Sequence, residues 1–266
     1  MKLSRFAALS SSLLLGAVLT LTGASQAQAN EAAALDYVAL GDSYSSGLGA
    51  GSYGNSGACK RSSVAYPQLW ANANSPSSFA FTACSGARTG DVTGSQLGPL
   101  NSGTDLVSIT VGGNDAGFAD VMTTCVLSSE ATCVARVNQA RAYVDTTLPG
   151  QLDSVYNAIS AKAPSAQVVV IGYPRFYQLN GTCVVGMTET ERAAINGAAN
   201  HINALLAKRA ADHGYRYADV TGPFTGHEIC SPASWLHSVS WPIDESYHPT
   251  AQGQSGGYLP AFSSAV

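Results

Sequence analysis

Four residues in this chain have the types and settings that acyl transfer asks for: Ser43, Gly86, Asn114 and His248. Ser43 stands in Gly41-Asp-Ser43-Tyr-Ser-Ser-Gly47, where a short apolar run breaks into small polar residues. A strand that ends in a tight, glycine-started turn presents the next side chain at the sheet's edge, where a nucleophilic hydroxyl meets its substrate. Such a serine needs a base. Of the five histidines, His248 lies in a loop with no helical register to fill, and Pro249 biases it towards extended backbone. The reaction also needs N–H groups aimed at a developing oxyanion, which glycine turns supply without steric obstruction. Gly86, in Cys84-Ser-Gly86-Ala, and Ser43 itself offer backbone amides, and Asn114, in Gly112-Gly-Asn114-Asp, offers its side-chain amide.

Each of these residues alone admits a plainer role. A serine after a glycine caps or forms a turn, and an asparagine caps a helix or tolerates a positive φ. Gly41-Asp-Ser43-Tyr-Ser45 lacks the second glycine of a G-x-S-x-G elbow, and Ser43 precedes nearly the whole sheet, which disfavours an α/β-hydrolase. His201 and His213 fall on a long helical pattern, and His227 and His237 in a cysteine-flanked loop region; all four read as surface or packing residues. His227-Glu228 has no second histidine four positions after the first, so the zinc-protease helix is absent.

The elements that must position the four come next. Apolar stretches at Asp36–Leu40, Phe79–Ala83, Leu106–Val111, Val168–Ile171 and Tyr215–Val220 read as strands. Between them, Ser63–Asn74, Cys133–Leu148 and Leu152–Ala163 carry apolar residues at helical spacing. Thr188-Glu-Thr-Glu191 is a capping-box match opening a long helix with Ile195, Ala199, Ile202 and Leu206 on one face, stopped by Gly214. A closing helix is expected from Thr250 onward. Apolar strands alternating with helices argue a parallel sheet covered on both faces, with function at the carboxyl ends of its strands. Gly41–Gly47, Cys84–Gly90 and Gly112–Asp115 are three of those loops.

The 266 residues suit one domain. Lys2 and Arg5, an apolar stretch to Leu21 and Ala27-Gln28-Ala29 read as a secretory signal peptide over residues 1–29, leaving 30–266 as the domain. The formal charge of −4 becomes −6 without that leader, and no basic patch appears, so nucleic acid is excluded as a partner. The run is too short for a retained membrane anchor. Six cysteines, none in C-x-x-C, fit an oxidising compartment better than zinc. Of about 15 possible connectivities, loop context favours sequential pairs: Cys59–Cys84, Cys125–Cys133 and Cys183–Cys230.

GDSYSSG, CSGA, GGND and SYHP occur in that order, and over essentially the whole of the chain from Asp36 onward the sequence resembles the SGNH (GDSL) hydrolase superfamily, in its secreted actinomycete lipase/esterase branch. The resemblance implies a three-layer α/β/α, flavodoxin-like fold with a mostly parallel central sheet. It implies Ser43 as nucleophile, His248 as base, and the Ser43 amide, the Gly86 amide and the Asn114 side chain as oxyanion hole. It also implies three sequential disulfides. Many members place an aspartate three residues before the histidine; here that position is Glu245, with Asp244 one earlier. The branch it resembles uses a main-chain carbonyl instead, which makes the Ser246 carbonyl or the Glu245 side chain the orienting group, with the carbonyl preferred.

The expectation is therefore a secreted, monomeric carboxylic-ester hydrolase acting on acyl-ester or lipid substrates, with no cofactor and no metal. The loop Gly47–Gly57, with Tyr44, Trp235 and Trp241, is expected to form its groove. A carbohydrate acetyl-esterase and a serine peptidase are alternatives among hydrolases. A secreted glycan-binding module with a vestigial site is the alternative from another class.

Overall fold

The five stretches read as strands pair into one sheet in the computed structural model, which describes residues 35–266. The expected signal peptide, residues 1–29, lies outside the described residues. The strands are β1 (Asp36–Gly41), β2 (Ser78–Phe81), β3 (Leu106–Thr110), β4 (Gln167–Ile171) and β5 (Arg216–Ala218), in the order β2-β1-β3-β4-β5 and all parallel. Every residue of β3 is buried, as are four of the five in β4, because helices cover both faces.

The helices are α1 (Ser43–Ser46), α2 (Tyr66–Asn74), α3 (Thr89–Asp91), α4 (Phe118–Leu127), α5 (Glu130–Thr146), α6 (Leu148–Lys162), α7 (Glu189–Asp212) and α8 (Leu259–Ala265). On one face α2 packs with α8; on the other α5, α6 and α7 pack together, completing three α/β/α layers. The expected capping box opens α7: the Thr188 hydroxyl accepts from the Glu191 amide, and the Glu191 carboxylate accepts from the Thr188 amide at 2.7 Å. Helix α4 is absent from the sequence reading. It starts after Gly117 at φ +82 with no side-chain cap, so it carries no start signal.

This strand order reverses direction between β1 and β3, and in open parallel sheets the crevice at such a reversal, beyond the carboxyl ends, is where ligands sit. Ser43 follows β1 and Asn114 follows β3. Disulfides link Cys59 to Cys84, Cys125 to Cys133 and Cys183 to Cys230, and no free cysteine remains among the described residues.

Candidate active site

The turn after β1 is fixed from both sides. Gly41 has φ +123, and a Cβ there would lie 2.4 Å from the Thr110 carbonyl oxygen of β3, so no other residue fits. The side chain of Gln96 clamps the same glycine: its Oε1 accepts from the Gly41 amide at 2.7 Å and its Nε2 donates to the Gly41 carbonyl at 2.9 Å. Gln254 does the same one turn on, accepting from the Tyr66 amide at 2.9 Å and donating to the Tyr44 carbonyl at 3.1 Å. Both glutamines sit in widened helical turns, Val92–Gln96 and Gly253–Tyr258, where the looser backbone places a side chain that regular α-helix would not.

Asp42 caps the single turn of α1. Its Oδ1 accepts from the Tyr44 amide at 3.0 Å and from the Thr110 hydroxyl at 2.6 Å, and its Oδ2 accepts from the Tyr173 hydroxyl at 2.5 Å. Burial pushes its carboxyl up to about 6, against the pull of those three donors. The network runs on through Ser45, whose hydroxyl lies 2.9 Å from that of Thr110 and 3.0 Å from that of Tyr66. Ser43 is the first residue of α1, held at the head of this buried polar network.

His248 reaches Ser43 from the other end of the chain, with Nε2 at 2.7 Å from Oγ. Its Nδ1 lies 2.9 Å from the Ser246 carbonyl oxygen, which fixes the tautomer: the proton sits on Nδ1, and Nε2 accepts. Glu245 turns away and accepts from the Tyr53 hydroxyl at 2.6 Å. Burial lowers His248 to about 4, and the bond to the Ser246 carbonyl offsets part of that. Between them Tyr247 takes φ +66, unusual for a non-glycine residue; its amide donates to the His237 carbonyl at 3.1 Å and its carbonyl accepts from the Tyr44 hydroxyl at 2.8 Å. None of the other four histidine side chains bonds Ser43, although the His237 backbone pairs with Tyr247 and His248. His201 meets Asp145, His213 meets Asp153, His227 stacks on Trp235, and His237 meets the Gly49 carbonyl.

The Gly86 and Asn114 loops are tied together beside Ser43. The Asn114 side-chain amide donates to the Ala87 carbonyl at 3.0 Å, and the Asp115 carboxylate accepts from the Thr89 hydroxyl at 2.6 Å. The Cys59–Cys84 bridge and the Cys84 amide, which donates to the Gly41 carbonyl at 2.9 Å, pin the start of the Gly86 loop to β1. Gly86 has φ +78, and a Cβ there would meet nothing within 4 Å, so backbone conformation rather than crowding asks for glycine. The Gly113 amide donates to the Tyr173 hydroxyl at 3.2 Å, so one tyrosine links the β3 turn to Asp42.

Ser43 and Asn114 line a cleft of about 700 Å³, counting its open mouth. Its walls are apolar: Phe118, Val121 and Met122 come from α4, and Ile195, Ala199 and Ile202 from α7. This corrects the expected groove. Tyr44 does line the cleft, but the Gly47–Gly57 loop does not. Gly49 packs instead under His248 and Pro249, and the Tyr53 hydroxyl, which accepts from the Gly49 amide at 2.9 Å, ties that loop to Glu245. Trp235 is stacked on His227, and Trp241 is 89 % exposed outside the cleft. Asp42, Gln96, Tyr173 and Gln254 escaped the sequence reading. Only Asp42 carried a local signal, a carboxylate directly before a short helix.

The geometry agrees with what the chain is similar to. The GDSL-like lipase/acylhydrolase family model matches residues 39–255. A lipase of Streptomyces rimosus is 64 % identical over the full length of both chains, and lipase 1 of Streptomyces coelicolor is 66 % identical over 96 % of each. The crystal structure of phospholipase A1 from Streptomyces albidoflavus NA297 superposes with a TM-score of 0.86 at 69 % identity, over 88 % of this chain and all of that one. With its five-stranded parallel sheet and a serine–histidine pair at the β1/β3 switch point, the chain belongs to the GDSL-like lipase/acylhydrolase family, in its Streptomyces lipase branch, and is a carboxylic-ester hydrolase.

Proposed function

We propose that Ser43 is the nucleophile of a secreted lipase that cleaves long-chain acyl esters, phospholipids among them, through an acyl-enzyme. The observation that carries it is the 2.7 Å contact of His248 Nε2 with Ser43 Oγ at the head of an apolar cleft. Ser43 Oγ attacks the ester carbonyl carbon while its proton passes to Nε2. The carbonyl oxygen becomes an oxyanion, received by the Ser43 and Gly86 amides and the Asn114 side chain. Collapse breaks the bond to the alcohol, which leaves with the proton from Nε2. Water then attacks the acyl-enzyme by the same route, releasing the fatty acid and restoring Ser43.

Burial holds the imidazole near 4, so it is neutral and able to accept a proton at neutral pH. The imidazolium formed in the transition state is stabilised by the Ser246 carbonyl dipole, which bonds Nδ1, and more weakly by the negative charge of Asp244. The apolar walls of α4 and α7 favour an acyl chain over the acetyl group of a sugar, whose ring would need polar partners. Phospholipids enter the reading through the similarity to a phospholipase A1. Secretion is supported by the leader-like residues 1–29, by three disulfides and by the similarity to an extracellular lipase of Streptomyces rimosus.

A panel of p-nitrophenyl esters of rising chain length, phosphatidylcholine and acetylated sugars, run on wild type and Ser43→Ala, tests the reading. Long acyl esters and phospholipid should turn over, acetylated sugars should not, and Ser43→Ala should be inactive on all. Wild-type rates in Ser43→Ala would sink it. Mass spectrometry of the exported protein should find Asn30 as the first residue.

A further inference from the structure

The outer surface of this chain places its large apolar side chains unevenly. Nine are exposed among the described residues, and seven of them fall in three short segments. Val126 and Leu127 end α4, with Leu127 77 % exposed. Val184 and Val185 lie in the loop before α7, with Val184 94 % exposed. Val239, Trp241 and Ile243 precede the turn that carries Ser246 and His248, with Trp241 89 % exposed. The segments meet: Val126, Val185 and Val239 line one cleft together with Tyr247, the residue before His248.

Two of the three segments are held outward by covalent means. Val126-Leu127 directly follows Cys125, and Val184-Val185 directly follows Cys183, each a disulfide cysteine. The charges around the shared cleft already have partners. The Glu130 carboxylate accepts from the Thr188 hydroxyl at 2.5 Å, Glu191 accepts from the Thr188 amide at 2.7 Å, and Arg192 pairs with Glu189 at 2.6 Å. The patch therefore offers apolar surface with no unpaired cation. Contiguous exposed apolar area is uncommon on soluble proteins and marks an interaction face.

We propose that this patch is a docking surface for uncharged or zwitterionic lipid, which seats the mouth of the active site on a lipid aggregate. The choice of occupant rests on the lipid-ester reading and on continuity. The turns of α4 before Val126 wall the acyl cleft, and the third segment runs into the catalytic histidine. Charge argues in the same direction. The chain is net negative, and Asp244 stands beside Ile243, so an anionic surface gains nothing here. Once the protein is docked, an acyl chain leaves its aggregate directly into the cleft between α4 and α7 without crossing water.

The test uses Ser43→Ala, which binds without turnover, and phosphatidylcholine vesicles. Of the three tryptophans Trp241 is the exposed reporter, since Trp70 is buried and Trp235 is stacked on His227 against the core. Vesicles should shift the emission to the blue, and Trp241→Phe should abolish the shift. Adding Leu127→Ser, Val185→Ser and Trp241→Ser together should weaken vesicle partitioning about tenfold or more. The same triple variant on a wild-type background should hydrolyse dissolved p-nitrophenyl butyrate within about twofold of wild type, since all three side chains point away from the core. Phosphatidylglycerol vesicles should bind no more tightly than phosphatidylcholine. Unchanged partitioning of the triple variant would overturn the proposal. So would a self-associating dimer, seen by sedimentation, that the three substitutions dissolve. Failure of the wild type to hydrolyse both p-nitrophenyl butyrate and phosphatidylcholine would count against the ester-hydrolase reading instead, while Ser43→Ala still reports on docking.

Discussion

Ser43 and His248 meet at 2.7 Å, yet the chain holds them by different means. Ser43 rides on the end of a central strand. Around it Asp42, Ser45, Thr110, Tyr173 and two glutamines form a buried lattice of side-chain hydrogen bonds, each group serving two or more partners. His248 sits in a long loop broken by one short 3₁₀ turn, Ile243–Glu245, and is held mostly by backbone carbonyls: Ser246 receives its Nδ1–H, Tyr247 receives the Tyr44 hydroxyl, and the His248 carbonyl receives the His237 amide at 3.0 Å. The proposed nucleophile is placed by the sheet, and the proposed base by a loop that the sheet side grips at Tyr44. A buried polar lattice is costly to break anywhere, because each lost member strands its partners. A loop held by carbonyls tolerates side-chain change, since backbone acceptors persist.

Changes at the two regions should therefore differ in kind. The largest effect is expected at the base itself: His248→Ala should lower kcat by about 10⁴-fold or more with the fold intact. Steady-state kinetics on a p-nitrophenyl ester, with circular dichroism as control, would show it. Asp42→Ala should act on stability instead, because Thr110, Tyr173 and the Tyr44 amide all lose their acceptor. A loss of about 2–4 kcal/mol in urea unfolding is expected.

The pH profile is the next test. A protonated imidazole cannot accept the Ser43 proton, so activity is present above the folded pKa of His248 and lost below it. With that value lowered to about 4, the acid limb of kcat/KM should fall well below the ordinary histidine range. The same shift makes the unfolded chain the better proton binder between about 4 and the unperturbed value of about 6.5. His248 thus favours folding above that window, and the contribution declines as pH falls through it. An acid limb at ordinary histidine pH would contradict the burial argument. The smallest effect is expected at Glu245→Gln. Its carboxylate addresses Tyr53 rather than the imidazole, so kcat should stay within about twofold, where loss of a true triad carboxylate costs about 10⁴.

The same contrast explains what was legible in the sequence. The strands β1, β3 and β4 announce themselves as mostly apolar runs stopped by glycine, and α7 opens with a capping box. Turns at the ends of such strands carry Ser43 and Asn114 close to the residues that place them, so local pattern was enough. The rest depended on distant partners. Helix α4, which walls the cleft, starts after an uncapped glycine, and its Thr-Thr-Cys-Val stretch reads as poorly helical. The Gly47–Gly57 loop looked like an open groove because nothing in its composition shows that Tyr53 reaches across to Glu245. Which of Ser246 and Glu245 faces the imidazole turns on the φ of Tyr247, which no local residue preference dictates.

The central claim, that Ser43 is the nucleophile activated by His248, is tested most directly by covalent labelling. Wild type treated with a fluorophosphonate should gain one adduct, mapped by peptide mass spectrometry to Ser43, and His248→Ala should label far more slowly. Labelling at another serine, or equal rates with and without His248, would contradict the account.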